Sequence, residues 1–294
     1  MTFEAIEVMS LRQKGLIVLA ILGVLLLAGF ISTFLKKPQY SGDWLPQLAE
    51  VATFVETGPS QFLVKNVRAW EYQDTGLSRK EWTQASINSN QLREVWFFVE
   101  PFTGNALFAH SFLSFVFEDE TGTRQTLSVS VEARKEVGQE YSPIRGLFRE
   151  YELLYLWSTE KDILTRIAIN LDHSLYAYKL NLPDDKARMI FEHFMVRTND
   201  LSERPRFYNT WHSNCTNELA KAVNDVFPGL LPWHRSWVMT GRSAAWLHKL
   251  GFIDDEGSFE KLTESSDIQP LVKAHVDDAA DSFSVSWRAS YQAK

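Results

Sequence analysis

The residue with the clearest chemical potential is Cys215, the single cysteine of the 294-residue chain. It lies in the stretch NTWHSNCTNELA, residues 209–220, at what reads as the start of a helix. At a helix N-terminus, the positive end of the dipole and the unpaired N–H groups favour a thiolate. The same N–H groups can hold an oxyanion. Cys215 is therefore a candidate nucleophile, and its alternative role is that of a small buried apolar side chain.

His110 and Glu132 are the candidate base and the candidate third member of a triad. They fall in two predicted strands, AHSFLSFVF and LSVSVEARK, on either side of the turn EDETGT. A hairpin centred near Thr121 places them opposite each other, with Cβ atoms about 4.5–5.5 Å apart. The imidazole would take the thiol proton, and the carboxylate would fix its tautomer. Finding His110 on the opposite sheet face from Cys215 would rule out this triad.

The two neighbours of the cysteine are candidates for shaping the helix start. We expect Asn214 to cap the helix through its side chain, since asparagine is a preferred N-cap residue. An oxyanion role for Asn214 is the less favoured alternative. Thr216 belongs to the same group of oxyanion or helix-cap candidates.

Four further residues are candidates for lining a cleft around the cysteine: Tyr208, Trp211, His212 and Arg134. His212 is the rival base, ranked second because a loop histidine three residues before a helix start rarely points back at the thiol. The alternative for Arg134 is an ion pair with Glu132, worth about 0–1 kcal/mol if exposed. No metal site and no cofactor are expected, because the seven histidines are scattered without a close two-ligand spacing.

These residues must be positioned by a domain that contains both strands and helices. Between residues 61 and 181 the pattern predicts strands in LREVWFFVEPF, ALFAHSFLSFVFED, RQTLSVSVEARKE, YELLYLWST, DILTRIAINL and SLYAYKLNL, after a lead-in QFLVKNVRAWEYQ. Helices are predicted in DWLPQLAEVATFVE, in LPDDKARMIFEHFMVR, in CTNELAKAVNDVF and at about 243–250. The predicted fold class is α+β, with an antiparallel sheet and packed helices.

The N-terminal segment is of a different composition. Residues 15–35 form an uncharged stretch of 21 residues, which as a helix is about 30 Å long, the thickness of a bilayer core. A cleaved signal peptide is disfavoured, since its apolar core is usually about 7–15 residues and a small-residue cleavage site should follow. We predict a cytoplasmic tail at 1–14, one transmembrane helix at 15–36, a folded domain at 38–250 and an acidic C-terminal tail at 251–294. That tail either is partly disordered or packs as a peripheral arm.

Charge and cysteine content limit the classes of function. With 30 Lys and Arg against 37 Asp and Glu and no basic run, binding to nucleic acid is disfavoured. One cysteine excludes an internal disulfide and a multi-thiolate zinc site. Two basic residues flank each side of the apolar stretch, so the positive-inside rule does not fix its orientation.

Five blocks of the sequence resemble the Lnb-type N-terminal periplasmic domain family: AHSFLSFVFED, LSVSVEARKE, GLFREYELLYL, LYAYKLNL and RFYNTWHSNCTNEL. The resemblance runs from about residue 43 to 250, and the pairing of the AHSFLSF and NCT blocks is its specific part. It implies a fold similar to a circularly permuted papain-like domain, as in the lecithin-retinol acyltransferase group. It also implies Cys215 as nucleophile, His110 as base and Glu132 as third member. Members are mostly membrane-attached with the domain in the periplasm.

The expected function is that of a membrane-anchored periplasmic cysteine hydrolase or acyltransferase in the bacterial inner membrane. It would act on an amide or ester through a thioester, with an envelope peptide or a lipid or lipoprotein acyl group as substrate. The alternative is a catalytically inactive binding or scaffold domain of the same fold. Labelling by a thiol-directed probe at neutral pH separates the two, because a thiolate reacts quickly and a buried structural thiol does not.

Deleting residues 1–37 is expected to leave a soluble domain, because the apolar stretch is separate from the predicted core. Size-exclusion chromatography of the truncated and full-length chains measures this. Aggregation of the truncated chain beside a monodisperse full chain in detergent would place the boundary elsewhere.

Overall fold

A computed structural model of the chain describes residues 10–39, 41–73, 75–102, 105–253 and 257–293. Its first helix, α1 (Leu11–Leu35), begins at Ser10, whose side chain caps it. By length and composition α1 can cross a membrane, and its apolar surface is not buried against the protein. Residues 1–9 of the predicted cytoplasmic tail lie outside the described residues.

The domain is built on a mostly antiparallel sheet. The ten strands of the described chain are β1 (Thr53–Gly58), β2 (Gln61–Arg68), β3 (Glu71–Gln73), β4 (Gly76–Arg79), β5 (Trp82–Asn88), β6 (Leu92–Phe102), β7 (Asn105–Glu118), β8 (Arg124–Arg134), β9 (Glu152–Ser158) and β10 (Tyr176–Lys179). The order in the large sheet is β1-β2-β9-β8-β7-β6-β10, with β5 paired to β2 and β3-β4 forming a separate hairpin. The β2–β9 pair is parallel, and the other pairs are antiparallel.

Helices cover both faces of this sheet. They are α2 (Glu160–Thr165), α3 (Asp184–Glu203), α4 (Cys215–Val226), α5 (Ser243–Lys249), α6 (Phe259–Ser265), α7 (Gln269–Ala274) and α8 (Ala280–Gln292). On the first face, here the α4 face, Leu113 and Phe115 of β7 share one core with α3 and α4. On the second, the α8 face, Phe112 and Val116 of the same strand share another core with α2, α7 and α8. The predicted α+β class is confirmed, and the alternation of side chains along β7 separates the two cores.

The expected helix over residues 43–56 is wrong. The segment contains a short 3₁₀ turn at Pro46–Leu48 and then strand β1, which pairs with β2 from Thr53↔Lys65 to Gly58↔Gln61. Pro46 limits any helix that begins before it, and the β-branched Val51, Thr53 and Val55 fit a pleated strand.

The expected strand in DILTRIAINL is also wrong. The segment forms α2 and then a π-helical turn at Arg166–Asn170. Thr159 caps α2 by accepting a hydrogen bond from the Asp162 N–H at 3.2 Å. The Asp162 carboxylate is fully buried and accepts from the Arg68 guanidinium at 2.7 Å. A side-chain cap and a tertiary ion pair thus overcome the local preference of the β-branched residues for a strand.

The segment after residue 250 is part of the folded domain. Phe283 and Trp287 of α8 are fully buried in the core on the α8 face. Arg288 of the same helix donates to both carboxylate oxygens of Glu160, at 2.5 and 2.6 Å, and both side chains are buried. The described part of the acidic segment is therefore not disordered but packs on the domain, and it supplies Arg288 to a buried ion pair.

Removing one member of this pair is expected to destabilise the domain strongly. The Arg288→Met substitution leaves the Glu160 carboxylate buried without its cation, which typically costs about 3–5 kcal/mol. Chemical unfolding of the detergent-solubilised chain measures the loss, and the Arg288→Met/Glu160→Gln double variant should recover part of it. A free energy of unfolding that Arg288→Met leaves unchanged would mean that α8 is not docked in solution.

Candidate active site

Cys215 occupies the first position of α4, and Asn214 is its N-cap. The Asn214 side-chain oxygen accepts from the Asn217 N–H at 2.9 Å, and the Asn217 side chain accepts from the Asn214 N–H at 2.7 Å. The Asn214 amide nitrogen donates to two backbone carbonyls, of Thr210 and Trp237, at 2.9 Å. The capping prediction is confirmed. Both polar atoms of the Asn214 side chain already have hydrogen-bond partners in and around the cap. The cap takes the N–H of Asn217, whereas the N–H groups of Cys215 and Thr216 have no acceptor within the helix and are the donors available beside the thiol.

His110 and Glu132 meet in the register that the sequence predicts. The ladder between β7 and β8 runs from Glu118↔Arg124 to Phe112↔Ser130, which centres the hairpin on Thr121. The Nε2 atom of His110 lies 3.3 Å from Oε1 of Glu132. The two residues lie just beyond the last pair of the ladder, where β7 and β8 separate.

Ser130 connects the imidazole to the carboxylate. Its hydroxyl lies 2.6 Å from Nε2 of His110 and donates to Oε1 of Glu132 at 2.5 Å. Since that proton is given to the carboxylate, the serine oxygen accepts from Nε2–H. This arrangement leaves Nδ1 unprotonated in the neutral imidazole, as a base needs. Ser130 is not among the candidates named from the sequence, although it precedes Glu132 by two residues on the same strand face.

The thiol reaches His110 through the gap between the separating strands. By alternation with Phe112, His110 belongs to the α8 face of the sheet, whereas Cys215 packs in the core of the other face. The expectation that such a separation rules out the triad is wrong, because it assumes that the sheet is closed between the two side chains. The two side chains are close nevertheless: the Sγ atom lies 3.9 Å from the carbonyl oxygen of Ala109, the residue before His110. The His110 imidazole and the Ser111 N–H both lower the pKa of the thiol. Because the ladder has ended, β8 does not cover the edge of β7 there; Thr240 binds the N–H and the carbonyl of Ala109, and the sulfur lies beside the same carbonyl.

The pKa shifts of the thiol and the imidazole have the directions that stabilise a thiolate beside an imidazolium. Burial raises the pKa of the Cys215 thiol. The hydrogen bond and charge of His110 lower it by more than burial raises it, so the thiol pKa lies below its usual value. Burial lowers the pKa of His110, and the charge of Glu132 and the thiol reverse this, so that the pKa lies well above the ordinary value. For Glu132, burial raises the pKa, and His110, Arg166 and Ser130 bring it far below the ordinary carboxyl value.

Two tyrosines border the thiol. Tyr208 is buried, and its hydroxyl lies 3.2 Å from that of Tyr141. Burial raises the pKa of both phenols, and the charge of Cys215 raises both further. Both hydroxyls therefore remain protonated donors near the sulfur. Tyr208 is one of the cleft candidates named from the sequence, whereas Tyr141 lies in a segment without regular structure and carries no local sequence signal.

A second histidine–carboxylate pair lies on the other side of His110. Glu100 of β6 is the direct cross-strand neighbour of His110. Its buried carboxylate lies 2.6 Å from Nδ1 of His173, which follows the π-helical turn. No local pattern links residues so distant in sequence, so this pair could not be found without the register of the strands.

The remaining predicted residues divide into two groups. The Thr216 hydroxyl lies 3.9 Å from the thiol and 2.8 Å from the hydroxyl of Ser111, so it belongs to the site. Arg134 instead donates to the carbonyls of Leu48 and Ala49, with its guanidinium 4.3 Å from the centre of the Trp44 ring. Both alternatives for Arg134, cleft residue and partner of Glu132, are thereby replaced by a role in holding the lead-in to β1.

Trp211 and His212 lie at the surface of the turn before α4. Trp211 is 64% exposed, and His212 is exposed, with its backbone carbonyl accepting from Lys221. Asn209 holds this turn by accepting from the N–H groups of both residues, at 2.9 and 3.2 Å. Of the two candidate histidines, His110 and not His212 is therefore the one that lies beside the thiol.

The fold and the site together define an α+β domain with a buried thiol beside a half-buried imidazole and carboxylate, preceded by one apolar helix. The family model of the Lnb N-terminal periplasmic domain matches residues 78–243, more than half of the chain, so the chain belongs to this family. The match contains β6, β7, β8 and the start of α4. No curated protein and no solved structure matches the chain. The family and α1 are consistent with a single-pass protein of the cell envelope.

The His110→Ala variant is expected to shift the reactivity of Cys215 to higher pH. It removes the interactions that lower the thiol pKa and leaves the burial that raises it, so less thiolate exists at neutral pH. The rate of iodoacetamide labelling, followed by mass spectrometry from pH 5 to 10, should show its midpoint move up by at least about one unit. His193→Ala is the matched control, since His193 pairs with Asp225 at the surface. An unchanged labelling profile in His110→Ala would show that Cys215 behaves as an ordinary thiol.

Proposed function

We propose that this chain is a membrane-anchored thiol acyltransferase or hydrolase that works on the periplasmic side of the inner membrane. Cys215 is the nucleophile, His110 the base, and Glu132 with Ser130 orients the imidazole. The arrangement of Cys215, His110 and Glu132 is the one that the resemblance to permuted papain-like enzymes implies. What supports the proposal most is the position of the thiol beside His110, which Ser130 and Glu132 hold, together with the apolar cavity that the next residue, Thr216, lines.

The reaction that this site fits has two acyl-transfer steps. The thiolate of Cys215 attacks the carbonyl carbon of an ester or amide, a C–S bond forms, and the C–O or C–N bond breaks. The His110 imidazolium gives its proton to the departing oxygen or nitrogen. Water or an amine then attacks the thioester while His110 takes up its proton, and the C–S bond breaks to return the thiolate. The N–H groups at the start of α4 and the Tyr208 hydroxyl are the donors for the oxyanion of each step.

A narrow apolar cavity lies between α4, the α4 face of the sheet and α5. It contains about 610 Å³ of empty space, with its open mouth included. Its lining is almost wholly apolar: Val95, Phe97, Leu113, Leu180, Leu182, Ile190, Leu219, Ala220, Val223, Leu231, Trp237 and Leu247, with Thr216, Ser236, Ser243 and Trp246. Thr216 lines the cavity, and its hydroxyl lies 3.9 Å from the thiol, whereas Cys215 itself is not part of the wall. An apolar space one residue away from the proposed nucleophile favours an acyl chain over a peptide as the acyl donor.

Two residues of the cavity wall carry polar atoms that a bound molecule would satisfy. The hydroxyl of Ser243 and the indole N–H of Trp246 are buried and have no hydrogen-bond partner among the described residues. An unpaired buried donor costs about 1–3 kcal/mol. A ligand that combines an apolar chain with an ester or hydroxyl oxygen would offset this cost, which favours lipid or lipoprotein acyl groups among the envelope substrates.

The direct test is the acyl-enzyme itself. Full-length chain in detergent, incubated with a diacyl phospholipid, should gain the mass of one acyl group on Cys215, and hydroxylamine should remove it. Cys215→Ala should show no adduct, and His110→Ala should be nearly as inactive. Glu132→Gln should be milder, since it keeps a hydrogen bond to the ring and loses the charge. A thiol that labels fast and yet acquires no acyl group from any phospholipid or lipopeptide donor would favour the inactive scaffold.

The cavity is tested separately by filling it. Ala220→Phe places a ring in the cavity on the helix that carries the nucleophile. It should reduce acylation by long-chain donors at least tenfold and leave acylation by p-nitrophenyl acetate within about twofold. The matched control is Ala245→Phe on α5, a residue outside the cavity wall. Equal losses with both donors would mean that the cavity does not hold the acyl chain.

A further inference from the structure

The segment between β8 and β9 exposes large apolar side chains on a single turn. This turn, residues 144–148, contains Ile144, Leu147 and Phe148, which are 69%, 42% and 39% exposed. Soluble surfaces usually expose such side chains singly, and a cluster marks a contact with a partner or a membrane. Arg145 and Arg149 lie within and directly after the turn.

The 144–148 turn lies against the C-terminal part of α1. Arg149 donates to the Phe34 carbonyl at 3.0 Å, and its guanidinium lies 5.0 Å from the centre of the Phe34 ring. The next residue, Glu150, forms an ion pair with Lys36 directly after the helix. The turn is therefore fixed at the level where the apolar stretch of α1 ends.

The Phe148 side chain extends from this level along α1, toward the middle of its apolar stretch. Its side chain borders a groove with Leu25, Leu27, Gly29 and Phe30 of α1. Phe30 precedes the last helical residue, Leu35, by five positions, which is about 7.5 Å along a helix axis. If α1 spans a bilayer, Phe148 lies at the depth of the apolar segment, while the arginines lie nearer the headgroups, where long cationic side chains reach lipid phosphates.

The same turn borders the candidate active site. The Thr210 hydroxyl donates to the Pro143 carbonyl at 2.7 Å, and it approaches Gly146 so closely that a Cβ there would lie 2.3 Å from it. Trp211 follows with most of its ring exposed, and Cys215 comes four residues later. A large apolar aromatic side chain with one N–H is the type of residue that membrane interfaces favour.

We propose that the 144–148 turn and Trp211 insert into the bilayer that α1 spans, and that they hold the mouth of the site at the lipid surface. The partner is the lipid leaflet itself. The continuity of the turn with α1, the depth of Phe148 and the flanking arginines support this choice. The proposal depends on α1 crossing the membrane and does not depend on catalysis by Cys215.

Depth measurements on the full chain test the proposal. In a Cys215→Ala background, single cysteines replace Ile144, Val24 of α1, or Glu120, and each is labelled with the fluorophore NBD. Glu120 is exposed at the hairpin turn, at the opposite end of β7 from His110. The chains are reconstituted in vesicles of phosphatidylethanolamine and phosphatidylglycerol at 3:1, with and without nitroxide-labelled lipid.

The label at position 144 should be quenched by lipid nitroxide and protected from aqueous iodide, with an emission shift to the blue. The label at Val24 should be quenched more strongly, and the label at Glu120 should respond to iodide alone. Iodide quenching at 144 that equals the quenching at Glu120 would overturn the proposal. An unquenched label at Val24 would overturn it as well, by showing that α1 does not enter the bilayer.

A second measurement separates this proposal from the proposed function. Ile144→Asp and Leu147→Asp change exposed side chains, so the fold should be retained. In vesicles each should weaken lipid quenching of NBD attached at position 211 through Trp211→Cys in the Cys215→Ala background. With Cys215 present, iodoacetamide labelling should stay within about twofold of the parent chain. Lipid quenching at 211 that persists in both variants would overturn the role of the turn, whatever Cys215 does.

Discussion

The candidate site depends on the point where β7 and β8 stop pairing. Up to Phe112↔Ser130 the two strands form a regular ladder, and its constant register brings His110 and Glu132 to the same level. Beyond that pair β8 no longer covers the edge of β7: the Thr240 hydroxyl binds the N–H and the carbonyl of Ala109, and the thiol of Cys215 lies beside the same carbonyl. The termination of pairing therefore decides whether a nucleophile on one face of the sheet can use a base on the other.

Buried charges hold the elements on both sides of this opening. Glu218, in the first turn of α4, is fully buried and accepts from Ser213 and Tyr155 at 2.7 Å and from Arg197 at 2.6 Å. These bonds join the turn before Cys215 to β9 and α3. On the α8 face, Glu160 accepts from Ser114 of β7 at 2.7 Å and forms the ion pair with Arg288. Since breaking a buried pair costs far more than an exposed one, such contacts specify how helices sit on the sheet, and hence where the thiol lies.

The surroundings of the thiol differ in polarity from one side to the other. On the α8 face it meets the His110 imidazole, which Ser130 and Glu132 hold in turn. Along α4 the neighbouring Thr216 lines the apolar cavity, and the turn before α4 contacts the 144–148 turn through Thr210. Under the proposals above, an acyl chain would lie among apolar side chains while its carbonyl meets the polar side of the site.

Local signals in the sequence determined the parts of this protein that depend on near neighbours. An uncharged stretch of helix-forming length predicted α1, an asparagine before a helix predicted the cap on Cys215, and the turn around Gly122 predicted the register of His110 and Glu132. The tertiary structure decided what depends on distant residues. Residues 161–170 are helical because Asp162 is paired with the buried Arg68, and residues 53–58 form a strand because β2 lies beside them. The thiol meets a histidine of the other sheet face because the pairing of β7 with β8 ends at Phe112↔Ser130. The alternation of side chains along β7 does not show at which residue β8 stops pairing with it.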